Sequence, residues 1–195
     1  MARVPYVDPA DVPAEHRDLL NSRLQGKPLN LYRALGNAPA VLVGFRGHLE
    51  ALWSETGLTE RERELVILAS AAAVGSRYEW HQHVNIARDA GIDDEAIYAV
   101  TAFAREDPET LADADALADA GLDADERALV AYVRAVVRGE TDDALHAALA
   151  EHYPTDTVVG VAVIAGTYTG LAHVIDALKL DLEADEEPLS GWDPR

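Results

Sequence analysis

The sequence predicts an all-α protein, and three observations carry that prediction. Apolar residues recur at helical spacing, for example at Val41, Leu42, Phe45, Leu49 and Leu52. Helix-capping residues, prolines and glycines divide the chain at intervals of about one helix length. No stretch shows the sustained apolar and polar alternation that is typical of a strand. We therefore expect helices throughout and no significant sheet.

The first helices are delimited by proline and glycine. Pro13 is expected to open a helix over residues 14–25, and a short second helix is predicted from Pro28 to Leu35. The apolar pattern described above predicts a third helix from Pro39 to Glu55, which Gly57 ends.

The next helix has the clearest start signal in the chain. Thr59 followed three residues later by Glu62 forms a capping box, and the helix is predicted to run to Gly75. A helix over 77–90 is closed by Gly91, and Asp93 or Asp94 starts another that extends through Phe103. Further helices are predicted near 123–138, 141–151 and 155–180.

Two related helical lobes are predicted from an internal echo. Residues 57–75 align without gaps on residues 121–139, at an offset of 64 residues, with eight of 19 positions identical. The alternative is that both stretches carry a generic helix start, which accounts for about half of the matches. The predicted organisation is an arm and helix (1–30), a lobe that carries the site (31–104), an acidic connection (105–122), a second, degenerate lobe (123–182) and an acidic tail (183–195).

Composition excludes several function classes. The 195 residues include 35 acidic and 16 basic side chains, so the net charge of −19 disfavours nucleic acid and anionic membranes as partners. The absence of cysteine excludes disulfides, thiolate metal sites and thiol redox chemistry. Only Lys27 and Lys179 are lysines, and we interpret the acidic surface as that of a halophile's protein, the alternative being an acidic mesophile protein. No targeting signal is visible, so a cytoplasmic location is expected.

One uncharged stretch needs a separate interpretation. Residues 158–174 are 17 uncharged residues, which is at the short limit for a membrane span. A buried core helix or a subunit-interface helix explains the stretch better, and no membrane partner is expected.

Candidate acid–base residues lie on two consecutive helices. Glu79 and His83 are four residues apart and share one helical face, and a short turn at 75–76 could bring Glu64 close to His83. Such a Glu–His–Glu group suits general acid–base catalysis, but a structural ion pair between packed helices is the alternative. His81 and His83 point about 200° apart on a helix and cannot share one metal ion. No metal and no cofactor are therefore expected.

These residues bear a resemblance to a known family. RERELVILASAAAVGSRYEWHQHVNIARDAGIDDEAI resembles the carboxymuconolactone decarboxylase family, which includes the alkylhydroperoxidase D type enzymes. The resemblance is strong from Leu31 to Phe103, including LYRALGNAPAVLVGF, and looser to about Leu182. The family's glutamate and histidine fall on Glu64 and His83, and its two cysteines fall on Ser76 and Glu79.

The resemblance implies an all-α, alkylhydroperoxidase D-like fold that assembles into trimers or hexamers, with the site near a subunit interface. Peroxide reduction in the family needs the dithiol, so a peroxidase activity is not expected here. The decarboxylase branch needs no cysteine, metal or organic cofactor, and it acts on a small lactone that carries carboxylates. We expect His83 to protonate the dienolate left by loss of carbon dioxide, tuned by Glu64 and Glu79. The residues expected to contact the substrate are Arg61, Arg77, Tyr78, Trp80 and Ser76, with Arg63 as a further cation near the site.

Two functional hypotheses remain open at this point. A cofactor-free lyase or isomerase requires His83 to titrate near neutrality and a pocket to reach it from solvent. A non-catalytic oligomeric binding or structural protein requires a closed site. Its His83→Ala variant would lose stability rather than activity.

Overall fold

The computed structural model describes residues 1–22, 25–105 and 114–183. The predicted fold class is confirmed, because these residues form α-helices and contain no named strand. The α-helices are α1 (Asn30–Leu35), α2 (Pro39–Ser54), α3 (Glu60–Val74), α4 (Arg77–Asp89), α5 (Asp94–Arg105), α6 (Ala114–Asp119), α7 (Ala124–Arg138), α8 (Asp143–Ala150) and α9 (Thr155–Leu178).

The first predicted helix is wrong in type and length. Residues Ala14–Leu20 form a 3-10 helix, preceded by a shorter one at Pro9–Asp11. The helix ends early because Asn21 is extended and pairs with Pro28 in an isolated antiparallel bridge. The predicted connection at 105–122 also contains a helix, α6, while its residues 106–113 lie outside the described ranges.

The chain divides into two compact units. Within the described ranges, the first unit comprises residues 1–55 and 173–183. Its N-terminal arm is fixed by the backbone N–H of Arg3, which donates to the carbonyl of Leu178 at 2.8 Å. In α2, the guanidinium of Arg46 is buried over the ring of Tyr32, at 4.3 Å from the ring centroid.

The second unit, residues 56–172, is built around α3. This helix packs against α4, α5 and α7, and its residues from Arg63 to Ala72 are all buried. A helix that is buried on every side cannot be amphipathic, which is why Leu65, Val66, Ile67 and Leu68 follow one another without a polar break. The helix begins with five consecutive charged residues, and it places the last two, Arg63 and Glu64, inside the protein.

Local signals set both ends of α3. Thr59 and Glu62 form the predicted capping box, in which the Glu62 carboxylate accepts from the Thr59 backbone N–H at 2.7 Å. Gly75 ends the helix in the left-handed conformation (φ 80°), and the Ser76 side chain caps α4 directly afterwards. Two residues therefore reverse the chain, and α3 and α4 form an antiparallel hairpin.

Helix α9 contains the uncharged stretch 158–174. By length and composition it could cross a membrane, and half of its most apolar stretch is buried inside the protein. Its Gly160 permits a close approach, since a Cβ at this position would lie 2.8 Å from the side chain of Thr56. The buried face of α9 within the second unit carries Val158, Val161, Ile164, Ala165, Tyr168, Leu171 and Ala172.

Candidate functional site

The α3–α4 hairpin brings Glu64 and His83 into direct contact. Nδ1 of His83 lies 2.7 Å from Oε2 of Glu64, so the imidazole Nδ1–H donates to the carboxylate. The Glu64 side chain has no exposed surface and that of His83 is 8% exposed. The hydrogen bond fixes the ring orientation, and Nε2 is the ring nitrogen that does not contact Glu64.

Arg63 completes the environment of Glu64. Its Nε donates to Oε1 of Glu64 at 3.2 Å, so each carboxylate oxygen has a cationic or imidazole partner. Arg63 is itself 9% exposed. A fully buried carboxylate depends on such partners because its desolvation costs several kcal/mol.

Two further groups face Nε2 of His83. Oε2 of Glu79, from the preceding turn of α4, lies 3.9 Å away. The hydroxyl oxygen of Tyr168, from α9, lies 3.4 Å away. The Tyr168 ring also meets the imidazole edge to face, with centroids 5.4 Å apart and planes at 79°. Nε2 therefore has one carboxylate and one phenol within reach.

These surroundings favour the imidazolium form. Burial disfavours the charged ring and acts to lower the pKa of His83, but attraction and hydrogen bonding by Glu64 act in the opposite direction. Glu79 adds to the increase and Arg63 opposes it. The net result is that the pKa of His83 is raised above its ordinary value of 6.5. The ring therefore holds its proton at neutral pH more readily than a free histidine does.

The three other residues predicted on α4 and its cap are buried. Ser76 is the N-cap of α4, and its hydroxyl accepts from the Glu79 backbone N–H at 3.4 Å. Trp80 donates from Nε1 to the hydroxyl of Thr101 at 2.8 Å and lies in the core against α5. Tyr78 is also buried. Their predicted role as substrate contacts remains a prediction.

The structure does not bring Arg61 or Arg77 to this group. Nε of Arg61 pairs with Glu126 of α7 at 2.6 Å, and its Nη1 donates to the carbonyl of Gly91 at 2.7 Å. Arg77 is exposed at the first turn of α4. Arg63 is the arginine placed beside Glu64, so the cation nearest the histidine comes from the inward side of α3.

Solvent access to the group is narrow in this conformation. Within the group, the side chains of Arg63, His83 and Glu79 are 9%, 8% and 4% exposed, and that of Glu64 has no exposed surface. A cleft of about 390 Å³ lies in the first unit, lined by residues of the ranges 5–13 and 36–39, and none of the predicted site residues lines it. Across residues 1–22, 25–105 and 114–183, no three histidine, aspartate or glutamate side chains are arranged to hold a metal ion.

Tyr168 is the site residue that the sequence prediction missed. It lies within the uncharged stretch 158–174, which was interpreted by its apolarity alone. A phenol in the middle of an apolar helix needs a hydrogen-bond partner when buried, and Tyr168 is 2% exposed. That requirement was the available signal, although the partner, 85 residues away along the chain, could not be identified from it.

Comparison with known proteins places this fold in a class. The debrominase Bmp8, solved as a cysteine-to-alanine variant in complex with 2,3,4-tribromopyrrole, is 19% identical with a TM-score of 0.76, over 93% of this chain and 91% of that one. An uncharacterized peroxidase-related protein from Ralstonia eutropha JMP134, described as an alkylhydroperoxidase AhpD core, is 21% identical with a TM-score of 0.75, over 100% and 98% of the two chains. A second peroxidase-related protein, from Silicibacter sp. TM1040, is 19% identical with a TM-score of 0.75, over 93% and 91%. At these identities the likeness defines the alkylhydroperoxidase D-like fold and no activity.

Part of the sequence matches a known family. Residues 39–118 match the model of the carboxymuconolactone decarboxylase family, which confirms the predicted resemblance. The match covers less than half of the 195 residues, and the chain contains no cysteine. No functionally curated protein sequence matches it.

Proposed function

We propose that the protein is a cofactor-free lyase or isomerase that moves a proton at a carbon atom of a small carboxylated substrate, with His83 as general acid and base. One observation carries this proposal: the fully buried Glu64 carboxylate holds Nδ1 of His83 at 2.7 Å, and Nε2 is the ring atom left for exchange. This is the arrangement in which a carboxylate orients an imidazole and stabilises its charged form.

The proposed proton path uses three residues. The imidazolium donates its Nε2 proton to the dienolate carbon that is left when carbon dioxide departs from the substrate. The ring then becomes neutral and keeps its Nδ1–H on Glu64. Glu79, 3.9 Å from Nε2, relays the proton from solvent that restores the imidazolium. Each turnover by this path consumes one proton and releases one carbon dioxide.

The charge of the site is compatible with a carboxylate when His83 is protonated. Arg63 and the imidazolium then balance Glu64 and Glu79, so a substrate anion does not enter a site of net negative charge. After deprotonation of His83 the two carboxylates are in excess and repel the anion. Substrate binding should therefore weaken as the pH rises through the pKa of His83.

Substrate size is the second part of the proposal. The resemblance to the decarboxylase branch supports a small lactone that carries carboxylates. The debrominase Bmp8, of the same fold, binds 2,3,4-tribromopyrrole, which supports a small, planar, unsaturated ring system. A cysteine-dependent peroxidase reaction is excluded for this chain because it has no cysteine.

The test is a turnover assay in molar salt with a panel of carboxylated lactones, monitored by carbon dioxide release and ultraviolet absorbance. We expect His83→Asn and Glu79→Gln to lower kcat by at least about 100-fold, which is typical for loss of a general acid or base. His146→Asn is the matched control, because His146 lies exposed on α8. Equal turnover in the wild type and His83→Asn, with the control unchanged, would refute the assignment.

A non-catalytic role is the second candidate, and the burial of the ion pair favours it. If the Glu64–His83 contact only fastens α3 to α4, His83→Asn should lower stability, and the wild type should turn over no member of the panel. Both candidates predict a loss of stability in His83→Asn, so turnover of the panel by the wild type is the measurement that separates them.

Assembly and location complete the proposal. We propose a homo-oligomer, a trimer or hexamer as in the family, through the outer face of α9, where Val159 and Val163 are 57% and 40% exposed. This face is uncharged from Val158 to Val174, so a second copy could cover it without burying charge. The net charge of −19 supports a cytoplasmic protein adapted to high salt.

A further inference from the structure

The Nε2 atom of His83 has two neighbours of opposite chemical character. Glu79 offers a carboxylate oxygen 3.9 Å from Nε2, beyond hydrogen-bond distance, whose negative charge attracts and stabilises the imidazolium. Tyr168 offers a phenol, whose O–H can donate to the lone pair of the neutral ring. The two protonation states of His83 thus have different preferred partners.

We infer that Tyr168 is a positioning residue that acts through His83: its hydroxyl stabilises the neutral imidazole and so sets the proton affinity of Nε2. The effect of Tyr168 on His83 is independent of the proposed function, and only its consequence for catalysis rests on that function. In that context α9 contributes to the acid–base site of α3 and α4, so a segment distant in sequence adjusts the group that transfers the proton.

The geometry supports a directed contact in addition to packing. The Tyr168 side chain is buried, its hydroxyl oxygen lies 3.4 Å from Nε2, and its ring stands edge to face against the imidazole. The ring contact holds the imidazole from one side while Glu64 holds Nδ1 from another. Two contacts, one with Glu64 and one with the Tyr168 ring, therefore oppose rotation of the imidazole.

Charged groups act on His83 from two helices of the second unit. Glu64 and Arg63 face it from α3, and Glu79 from its own helix. Helix α5 also packs against α4, and there it contributes the uncharged Thr101 to Trp80. Both glutamates raise the pKa of His83, whereas burial and the charge of Arg63 lower it. The phenol acts in the same direction as Arg63, through a hydrogen bond to the neutral ring.

The proposal is tested by measuring the pKa of His83 directly, with long-range ¹H–¹⁵N NMR titration of the full-length protein in molar salt. We expect Tyr168→Phe to raise the pKa of His83 by about 0.5 pH unit, the size that one weak hydrogen bond to the neutral form gives. Glu79→Gln should lower it by about one unit, because the second carboxylate is lost. Opposite signs from two neighbours of the same atom are not expected from a loss of packing.

Tyr153→Phe is the matched control. Its hydroxyl donates to Glu62 of α3 at 2.7 Å, so this variant likewise removes a hydrogen-bonded phenol, but one whose partner is not His83. We expect no change in the pKa of His83 in this variant. If Tyr168→Phe fails to fold, replacement of Tyr168 by 3-fluorotyrosine keeps the shape and makes the phenol a stronger donor, and it should lower the pKa of His83.

An unchanged or lowered pKa in Tyr168→Phe, or an unchanged or raised pKa with 3-fluorotyrosine, overturns the inference. The titration needs no substrate, so it stands even if no lactone is turned over. Loss of the proposed function appears separately, as turnover that is absent or insensitive to His83→Asn. Where turnover exists, kcat falls at high pH as His83 loses its proton. In Tyr168→Phe the midpoint of this fall should move to a pH that is higher by the same 0.5 unit.

Discussion

The first helices of the α3–α4 and α7–α8 hairpins begin and end in the same way. Each is preceded by a glycine with positive φ, at Gly57 and Gly121, and the first helix of each carries a glutamate at its third position that accepts from the N-cap backbone N–H. Each first helix ends at a left-handed glycine, Gly75 or Gly139. Helices α3 and α7 also pack against each other. The internal repeat in the sequence, residues 57–75 and 121–139, therefore corresponds to a shared local structure.

The hairpins differ in what surrounds their second helices. Helix α4 is buried from Tyr78 to Val84, whereas α8 buries Leu149 and exposes most of its other side chains. At the positions equivalent to Glu64 and His83, the second hairpin has Ala128 and Ala147. The comparison indicates that the cap and turn signals build the first helix of each hairpin, and that the ionisable pair belongs to the hairpin whose second helix is buried.

The largest expected difference between the hairpins concerns stability. Glu64→Gln leaves Arg63 and His83 buried beside a neutral amide, and it should lower the free energy of unfolding by about 3 kcal/mol. The equivalent change on α7, Ala128→Gln, lies at a half-buried position and should cost no more than about 0.5 kcal/mol. Urea denaturation of both variants in molar salt measures the two values. Similar costs would mean that the buried pair contributes no more than a surface position.

A pH dependence should distinguish His83 from His146. The pKa of His83 is raised in the folded protein, so its stabilising contribution is fully present below pH 6.5 and is lost as the pH rises through the folded-state pKa. Compared with His83→Asn, the wild type should lose up to about 1.4 kcal/mol per pH unit above pH 6.5. Denaturation at a series of pH values tests this, with His146→Asn retaining the wild-type slope. If the stability of His83→Asn shows the same pH dependence, another group causes it.

The glycines that end α3 and α7 should behave alike. Gly75 and Gly139 have φ values of 80° and 71°, and a Cβ at either position would meet no atom within 4 Å. Gly75→Ala and Gly139→Ala should therefore each cost about 1 kcal/mol, from backbone strain alone. The difference between the two variants in thermal or urea denaturation should be within the error of the measurement. Unequal costs would show that the ends of α3 and α7 differ more than their dihedral angles indicate.

The smallest effect concerns salt. Arg88 of α4 pairs with Asp94 of α5 at 2.7 Å at an exposed position. Arg88→Gln should cost about 0.5 kcal/mol in dilute buffer and almost nothing in molar potassium chloride, because salt screens exposed pairs. The cost of Glu64→Gln should persist at both salt concentrations. If that cost also disappears in high salt, solvent reaches the Glu64–His83 pair more than its burial indicates.

Local signals made most of the fold predictable, and long-range partners limited the prediction of the site. The capping box at Thr59 and Glu62 was predicted because both partners lie within one helical turn. The closeness of Glu64 and His83 followed from a two-residue turn between two helices. Arg61, by contrast, shares a helix face with Glu64 but pairs with Glu126, which is 65 residues away. Nothing local to Arg61 indicates that partner, and the same holds for Tyr168.

The predicted helix over residues 14–25 failed for a related reason. Its composition permits a helix, but the chain reverses at residue 21 to pair with Pro28, and the backbone tightens into a 3-10 helix that ends at Leu20. Such a reversal depends on the partner segment and leaves no clear signal within the helix itself.

The central claim is that the α3–α4 hairpin transfers protons to and from carbon, and deuterium exchange tests it most directly. The protein is incubated in D₂O with a saturated carboxylated lactone, and replacement of the proton next to the lactone carbonyl is followed by ¹H NMR. We predict exchange that is faster than background with the wild type and with His146→Asn, and that is lost with His83→Asn. Exchange at the background rate with the wild type, or at the wild-type rate with His83→Asn, would contradict the claim.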